Sequence, residues 1–231
     1  LDVTEYGNFT STCLGGISIS NASFDGTAST MPNGTVPANW SATNTTDLGD
    51  GSSTIDGVAG LLSDSPNGGT FVRMVSNSND YIEAIYQTVS GLVIGETYYI
   101  GFHQGLIRNW AQNSGYIDVT FAGVTMAAPT MELPTTNPSF TGWETVYVGP
   151  FTATATSHTL QFTPVSTTVS SYTDVTIDGI SVCNAVDYSY RDTDNDNIPD
   201  YLDLDSDADG CSDSVEAGNT LKANNDITNY N

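Results

Sequence analysis

The sequence predicts an all-β protein, an antiparallel sandwich or barrel, followed by a short acidic segment that is poor in helix. Three observations carry this prediction: runs in which β-branched and aromatic residues alternate with polar ones, clusters of Gly, Asn, Asp and Pro between the runs, and the lack of a convincing amphipathic helical pattern. The 231 residues include 12 Tyr, 8 Phe and 3 Trp, which is enough aromatic surface to build a core.

Eight such runs precede Cys183, and each one predicts a strand. In the first run Ile17 and Ile19 fall on one face, and the polar residues 77–80 predict a turn between the second and third runs. The predicted strands are 16–24, 71–75, 81–89, 97–103, 116–121, 144–151, 158–162 and 175–182.

Residues 27–69 form a long stretch that is rich in Gly, Ser and Thr and shows little periodicity. A loop of this length inside a compact domain needs packing of its own. We expect that packing to come from Trp40, Ile55, Leu61 and Leu62.

The formal net charge is −23, from 27 acidic and 4 basic residues. Nucleic acids and anionic membrane surfaces bind positively charged faces, so we expect neither as a partner. No apolar run approaches the roughly 20 residues of a spanning helix, so we expect no membrane insertion. The chain begins at Leu1 without a basic and apolar leader, as a mature protein or an excised segment does.

Two features favour a secreted or cell-surface protein. Lys222 is the only lysine, and Asn, Ser and Thr are abundant throughout the chain. The three cysteines, Cys13, Cys183 and Cys211, allow one disulfide with one thiol left over. Disulfides persist mainly in oxidising, extracellular compartments.

Several short motifs resemble those of galactose-binding-like jelly rolls, which occur among bacterial carbohydrate-binding modules and lectin-like surface modules. The motifs are Asn-Ala-Ser-Phe-Asp at 21–25, Val-Pro-Ala-Asn-Trp at 36–40, Tyr86 with Gln87, residues 92–95 and 98–100, Trp143, Phe151, and Val-Thr-Ile-Asp-Gly-Ile-Ser-Val at 175–182. The resemblance covers roughly Cys13 to Cys183 and implies an antiparallel jelly-roll β-sandwich. The composition changes near Cys183, so we expect a sandwich domain over residues 1–183 and a separate C-terminal segment over residues 184–231.

The jelly-roll resemblance also implies a disulfide. The first and last strands of this fold commonly lie antiparallel, which places Cys13 beside Cys183. Closing so long a loop stabilises the fold by about 5 kcal/mol on the idealised entropic estimate. The competing pair is Cys183–Cys211, and Cys211 is left over if Cys13 and Cys183 join.

The strongest chemical signal lies between residues 192 and 216. Its second half matches the twelve-residue calcium loop, with Gly210 at the turn. The predicted ligands there are Asp205, Asp207, Asp209, the carbonyl of Cys211, Asp213 and Glu216. The pattern also occurs earlier, with Asn197 at the turn and a closing Asp instead of Glu, so we expect a weaker site. Its predicted ligands are Asp192, Asp194, Asp196, the carbonyl of Ile198, Asp200 and Asp203.

Calcium is the ion that these groups suit, because carboxylate and carbonyl oxygens without His or paired thiolates argue against zinc and copper. Without a cation the acids repel one another. Short flanks that are poor in helix formers, and Pro199 inside the first loop, disfavour a helix–loop–helix sensor. The tandem spacing instead resembles thrombospondin type 3 repeats, which implies a calcium-filled connector in an extracellular protein.

A third calcium site is implied by the jelly-roll resemblance. A structural calcium often lies in such domains near the edge formed by the first and last strands, and Asp25 and Asp178 match its acidic positions. The alternative is that both aspartates cap strand ends as turn residues.

The sandwich is also expected to bind carbohydrate, through an aromatic platform beside planar hydrogen-bonding side chains. The segment 103–110 combines both chemistries at a predicted strand end. Tyr86 and Trp143 are expected in the core or at a strand edge instead. The candidate ligand-binding residues are Tyr81, His103, Gln104, Arg108 and Trp110.

These features together predict a non-catalytic adhesion or carbohydrate-binding module on a calcium-rigidified stalk of a bacterial surface protein. Catalysis has little support, because the sequence has no nucleophile elbow, metalloprotease helix or phosphate loop. Two alternatives stay open. One is a structural repeat of a surface fibre that contacts neighbouring copies, and the other is an accessory domain that targets a secreted polysaccharide-degrading enzyme.

Overall fold

The computed structural model describes residues 9–77, 81–108, 114–133, 139–167 and 172–190, together with residues 205, 208 and 210. Within these ranges there are strands and turns, and no helix that is long and apolar enough to cross a membrane. The strands are β1 Phe9–Leu14, β2 Ser41–Ala42, β3 Asp47–Gly49, β4 Phe71–Ser76, β5 Ile85–Ser90, β6 Thr97–Arg108, β7 Ser114–Phe121, β8 Val124–Ala127, β9 Met131–Glu132, β10 Ser139–Phe140, β11 Glu144–Thr152, β12 Ser157–Ser166, β13 Thr173–Cys183 and β14 Ala185–Tyr190.

Twelve of these strands form two antiparallel sheets. Sheet I has the order β3, β4, β13, β6, and both β10 and β11 pair with the remaining edge of β6. Sheet II has the order β2, β5, β12, β7, and both β8 and β9 pair with the remaining edge of β7. The strands β1 and β14 form a separate two-stranded sheet. The prediction of an all-β jelly-roll sandwich is confirmed.

Period-two alternation places one face of each sheet in the main core. Along β7, Ile117, Val119 and Phe121 are buried, while the residues between them are partly exposed. The two sheets meet through contacts such as Phe102 against Phe162, whose ring centroids lie 5.1 Å apart in an edge-to-face arrangement. The core therefore forms between the sheets, and each sheet has a second, outer face.

Part of the segment 27–69 packs on the outer face of sheet I, while β2 within the same segment pairs with β5 in sheet II. Phe71 and Ile107 point away from the main core and form a second hydrophobic cluster with Met31, Ile55 and Leu62 from this segment. Leu61, Phe140 and Trp143 pack against the same cluster. The expected packing of Ile55, Leu61 and Leu62 is confirmed, whereas Trp40 belongs to the main core instead.

The predicted first strand, 16–24, is wrong. This segment consists mainly of turns, with one antiparallel bridge between Ile17 and Val182 and a backbone hydrogen bond from Ile180 to Ala22. Two residues in it, Asn21 and Phe24, adopt positive φ, which a strand excludes. The segment nevertheless runs beside the end of β13, and Cys13 and Cys183 are joined with their Cα atoms 5.3 Å apart.

The contacts group the chain into two compact units. The first contains Cys13–Val186, which includes both six-stranded sheets, and the second contains Leu1–Thr12 with Asp187–Asn231. The division after residue 183 that the sequence suggests stays a prediction.

Candidate functional site

The outer face of sheet II carries a row of hydrogen-bonding side chains. Tyr86 on β5 is opposite Gln161 on β12, and Gln161 is opposite Thr120 on β7, which pairs with Thr125 on β8. A second row places Thr163 of β12 beside Asp118 of β7, and a third places Val165 beside Tyr116. Neighbouring strands lie about 4.8 Å apart, so the first row extends across roughly 15 Å of sheet.

These side chains are accessible in the described structure. Tyr86 is 36% exposed, and the outward residues of β7 and β12 are partly exposed where their neighbours along the strand are buried. Several already exchange hydrogen bonds: Thr120 with Thr125 over 2.8 Å, and Gln161 Nε2 to Thr163 Oγ1 over 3.0 Å. Partial burial raises the pKa of Asp118. We call this surface, defined by Tyr86, Tyr116, Asp118, Thr120, Gln161 and Thr163, the sheet II face.

A cavity of about 390 Å³ adjoins Tyr86 at the edge of the sheet II face. Its shape is fixed by the Gln87 side chain, which donates to the carbonyls of Ser20 and Asn39 over 2.9 Å and accepts from the Ser20 N–H. The cavity therefore lies between a strand and a loop that are held together by a glutamine. Its lining residues are Ser20, Asn39, Ser41, Tyr86, Gln87 and Thr88.

A second cavity, of about 410 Å³, lies on sheet I beside the second hydrophobic cluster. Its polar groups centre on Arg73, which is 4% exposed. Arg73 donates to both carboxylate oxygens of Asp174 over 2.9–3.0 Å, to Asp47 over 2.9 Å and to Asp56 over 3.4 Å. Burial works against the charged guanidinium, but these carboxylates outweigh burial and raise the pKa of Arg73.

Glu83 adds a fourth carboxyl group to this cavity. Its oxygens accept hydrogen bonds from the Tyr81 hydroxyl and the Val75 N–H, each over 2.8 Å. Burial, together with the negative charge of Asp47, raises the pKa of Glu83 to about 7, against the opposing effect of those hydrogen bonds and Arg73. We call this cavity the acidic pocket; its lining is Pro32, Asp47, Asp56, Arg73, Val75, Tyr81, Glu83, Tyr172 and Asp174.

Asp178 is the described carboxylate whose surroundings best fit a cation. It is fully buried, and no hydrogen bond of normal geometry from a described residue reaches either of its carboxylate oxygens. Burial, with the nearby charge of Asp25, raises its pKa to about 7, although weaker polar contacts from Ser65 and the Gly179 backbone act against this. Carboxylate oxygens are the kind of ligand that calcium prefers. Among the described residues, no group of three or more His, Cys, Asp or Glu could hold a metal.

Of the two predicted calcium loops, the structure describes Asp205, Ala208 and Gly210. The Gly210 N–H donates to Asp205 Oδ2 over 3.0 Å, and the Ala208 N–H donates to the Asp205 carbonyl over 3.0 Å. Ala208 and Gly210 have φ values of 55° and 89°. The backbone N–H groups of Gly210 and Ala208 are therefore both directed at Asp205, the first predicted ligand of the second loop. The other predicted ligands of both loops lie outside the described residues.

The three predicted sugar-binding side chains that the structure describes, Tyr81, His103 and Gln104, do not form one site. Tyr81 lines the acidic pocket, while His103 lies elsewhere on sheet I, half-buried, with Nδ1 2.9 Å from Thr145 Oγ1 and its pKa lowered by burial. Gln104 is fully buried and donates to the Pro129 carbonyl and to Glu144, so it is not accessible to a ligand at the surface and we withdraw it. The Arg108 side chain and Trp110 lie outside the described residues.

No protein-family model matches the chain, and no curated protein does. Among solved structures, a family 22 carbohydrate-binding module of Clostridium thermocellum Xyn10B is 12% identical, with a TM-score of 0.40 over 70% of this chain and 89% of the module. A cyclase from Fischerella sp. TAU is 12% identical, with a TM-score of 0.48 over 77% and 100%. The enzymatically active domain of bacteriophage CBA120 tailspike protein 4 is 17% identical, with a TM-score of 0.40 over 72% of this chain and only 21% of its own. Matches at this level identify neither a ligand nor an activity.

Proposed function

We propose that the chain is a non-catalytic, extracellular carbohydrate-binding module of a surface protein, and that neutral glycan chains lie across the sheet II face. One observation carries the proposal: the outward side chains of β5, β7 and β12 are accessible and mostly polar, whereas Met31, Ile55 and Leu62 pack on part of the outer face of sheet I. Hydroxyl-rich ligands need donors and acceptors in rows, together with an aromatic ring against the apolar face of a sugar. Tyr86, Gln161 and Thr120 supply that combination in one row.

Binding fits the described carboxylates better than catalysis does. A general acid and a nucleophile need carboxyl oxygens that can reach substrate. In the acidic pocket, Asp47 and Asp174 are engaged by Arg73, and Glu83 is engaged by Tyr81 and Val75. These groups hold loops and strands together. The sheet II face has one carboxylate, Asp118. It therefore lacks the pair of carboxyl groups that glycoside hydrolysis uses, and its side chains suit binding instead.

The glycan proposal is tested by affinity electrophoresis against a panel of soluble neutral polysaccharides. We expect at least one polysaccharide to retard the wild-type protein, and Tyr86→Ala and Gln161→Ala each to weaken that binding at least tenfold. Tyr172→Ala is the matched control, because Tyr172 is 50% exposed but lines the acidic pocket. Full retardation of the Tyr86 and Gln161 variants, or no retardation of folded wild type by any glycan, would contradict the proposal.

We further propose that calcium stabilises the module at three places, the Asp25–Asp178 pair and the two loops that begin at Asp192 and Asp205. When bound, calcium supplies positive charge to carboxylates that otherwise repel one another or lie buried without donors. Asp25 and Asp178 are the residues that hold it at the sandwich. In the loops, the turn at Gly210 and the N–H that it directs to Asp205 support this proposal.

The variant Asp178→Asn distinguishes a calcium site from a carboxylate that is buried without binding a metal. In chelator the variant should be more stable than wild type, because it removes a carboxylate that is costly to ionise in its buried position. With calcium at a hundred times the Kd of the Asp178 site, occupancy of that site raises the free energy of unfolding of the wild type by about 2.7 kcal/mol. The variant lacks this contribution. Calorimetry should also show one bound calcium fewer for Asp178→Asn, and one fewer for Asp205→Asn. Equal calcium stoichiometry in all three proteins would count against these sites, and Asp118→Asn serves as the control.

A further inference from the structure

The acidic pocket has features that the proposed glycan role does not use. Its polar groups lie deep, since Asp47, Arg73, Glu83 and Asp174 are each at most 5% exposed. Its upper walls are apolar or aromatic, and they are formed by Pro32, Val75, Tyr81 and Tyr172. Half of the Tyr172 surface is exposed beside the cavity, so its ring is accessible to a ligand there.

The charge of the pocket excludes anions. Four carboxyl groups and one guanidinium line the pocket. Arg73 already donates hydrogen bonds to Asp47, Asp56 and Asp174. A carboxylate or phosphate entering the pocket would meet an excess of negative charge with little donor capacity left on Arg73. A positive ligand meets the opposite situation, because the excess charge attracts it.

The size and walls of the pocket favour an organic cation over a bare metal ion. A calcium ion needs several carboxylate or carbonyl oxygens converging on one point, whereas these carboxylates are already held by protein donors. A volume of about 410 Å³ with two tyrosines suits a bulkier group. Aromatic rings attract alkylated ammonium groups through the negative face of the ring, and more strongly where water is excluded.

We infer that the acidic pocket is a binding site for a small ligand that carries an ammonium group, with Tyr81 and Tyr172 against its alkyl or ring carbons and the carboxyl groups of Asp56 and Glu83 offsetting its charge. This site is separate from the sheet II face, and the inference does not depend on glycan binding there. The ammonium group has two plausible sources, a quaternary amine of the choline type and the amine of an amino sugar.

Isothermal titration with choline, with its neutral carbon isostere and with glucosamine tests the inference. Choline or glucosamine should bind to the wild-type protein, and the neutral isostere should bind at least tenfold more weakly than choline. Binding of choline alone identifies the quaternary source, and binding of glucosamine alone identifies the amino sugar. Absence of binding by both, or equal affinity for choline and its isostere, overturns the inference.

Two variants distinguish the pocket from general attraction to a chain of net charge −23. Tyr172→Ala should weaken cation binding at least fivefold, and its exposed position makes loss of folding a small risk. Tyr86→Ala, the matched control on sheet II, should bind the cation as wild type does. An unchanged affinity in Tyr172→Ala contradicts the assignment, since unspecific attraction to surface charge does not depend on that ring.

The pH profile of choline binding gives a second readout, because choline keeps its charge at every pH. Glu83 faces Tyr81, Asp47, Arg73 and the Val75 backbone, and it changes charge near neutral pH. Choline affinity should therefore rise severalfold between pH 6 and pH 8. Glu83→Gln should remove most of that rise while keeping the hydrogen bond from Tyr81. A rise of the same size in wild type and Glu83→Gln contradicts a role for this carboxyl group.

Discussion

At the scale of single residues, Glu83 couples stability to pH. Its pKa is raised to about 7 in the fold, chiefly by burial, against an ordinary value of 4.5. The folded state therefore binds more protons than the unfolded chain between those values, and the free energy of unfolding falls as pH rises through this window. The loss is about 3 kcal/mol between pH 4.5 and pH 7.5.

Glu83→Gln should flatten this dependence, because the amide cannot ionise. We expect the difference in free energy of unfolding between pH 5 and pH 7.5 to shrink by about 2 kcal/mol, measured by urea denaturation in chelator. Glu96→Gln removes an exposed glutamate and serves as the charge-matched control. A pH dependence that Glu83→Gln leaves intact would show that the group whose deprotonation destabilises the fold lies elsewhere.

Individual residues also show where sequence reasoning succeeded and where it failed. The family resemblance gave the Cys13–Cys183 pair, because it placed both cysteines at neighbouring strand ends. Tyr86 was expected in the core or at a strand edge, but the buried side chains of β5 are Ile85 and Val89 and Tyr86 points outward. Alternation shows which residues share a face, and it leaves open which face is buried. Gln104 failed for the same reason, as the inward side of β6 includes one buried amide.

At the scale of elements, seven of the eight predicted strands correspond to observed ones, since long runs of β-branched and aromatic residues carry a strong signal. The short strands β2, β3, β9 and β10, of two or three residues each, carry too little periodicity to be recognised. These short strands form because they pair with longer strands from other parts of the sequence. The sheet II face could not be located from sequence, because it requires the register of three strands, β5, β7 and β12.

The segment 27–69 depends on the second hydrophobic cluster for its position on sheet I. Ile55 is fully buried in that cluster, and Trp143 is joined to the segment by a hydrogen bond to the Ser63 carbonyl over 3.0 Å. Ile55→Ala should lower the free energy of unfolding by about 2–4 kcal/mol, measured by thermal or urea denaturation. Val93→Ala, at a position 58% exposed, should change it by less than about 0.5 kcal/mol. Equal effects of the two substitutions would mean that the cluster contributes little.

At the scale of the whole molecule, the disulfide determines how the sandwich carries tension. Cys13 and Cys183 lie near the two ends of the compact unit Cys13–Val186, and they are joined across 170 residues of sequence. A force applied through the chain before Cys13 and after Cys183 passes through the covalent bond. The strands between the two cysteines therefore bear little of that force.

Single-molecule stretching from the two ends of the chain tests whether the disulfide bears the applied force. The oxidised protein should show no extension step from the sandwich. In the double variant Cys13→Ser with Cys183→Ser, unfolding of the sandwich should lengthen the stretched chain by about 590 Å. This length follows from the sequence separation of 170 residues between the cysteines and roughly 3.5 Å per extended residue. A step of that length in the oxidised wild-type protein would show that the pair is not joined under load.

We claim that glycan lies across the sheet II face, and chemical-shift mapping with the polysaccharide that binds best is the decisive experiment. We predict that the largest amide shifts fall on β5, β7 and β12, around Tyr86, Thr120 and Gln161, while those around Arg73 in the acidic pocket stay small. Shifts concentrated on sheet I, or spread evenly over the protein, would contradict the claim.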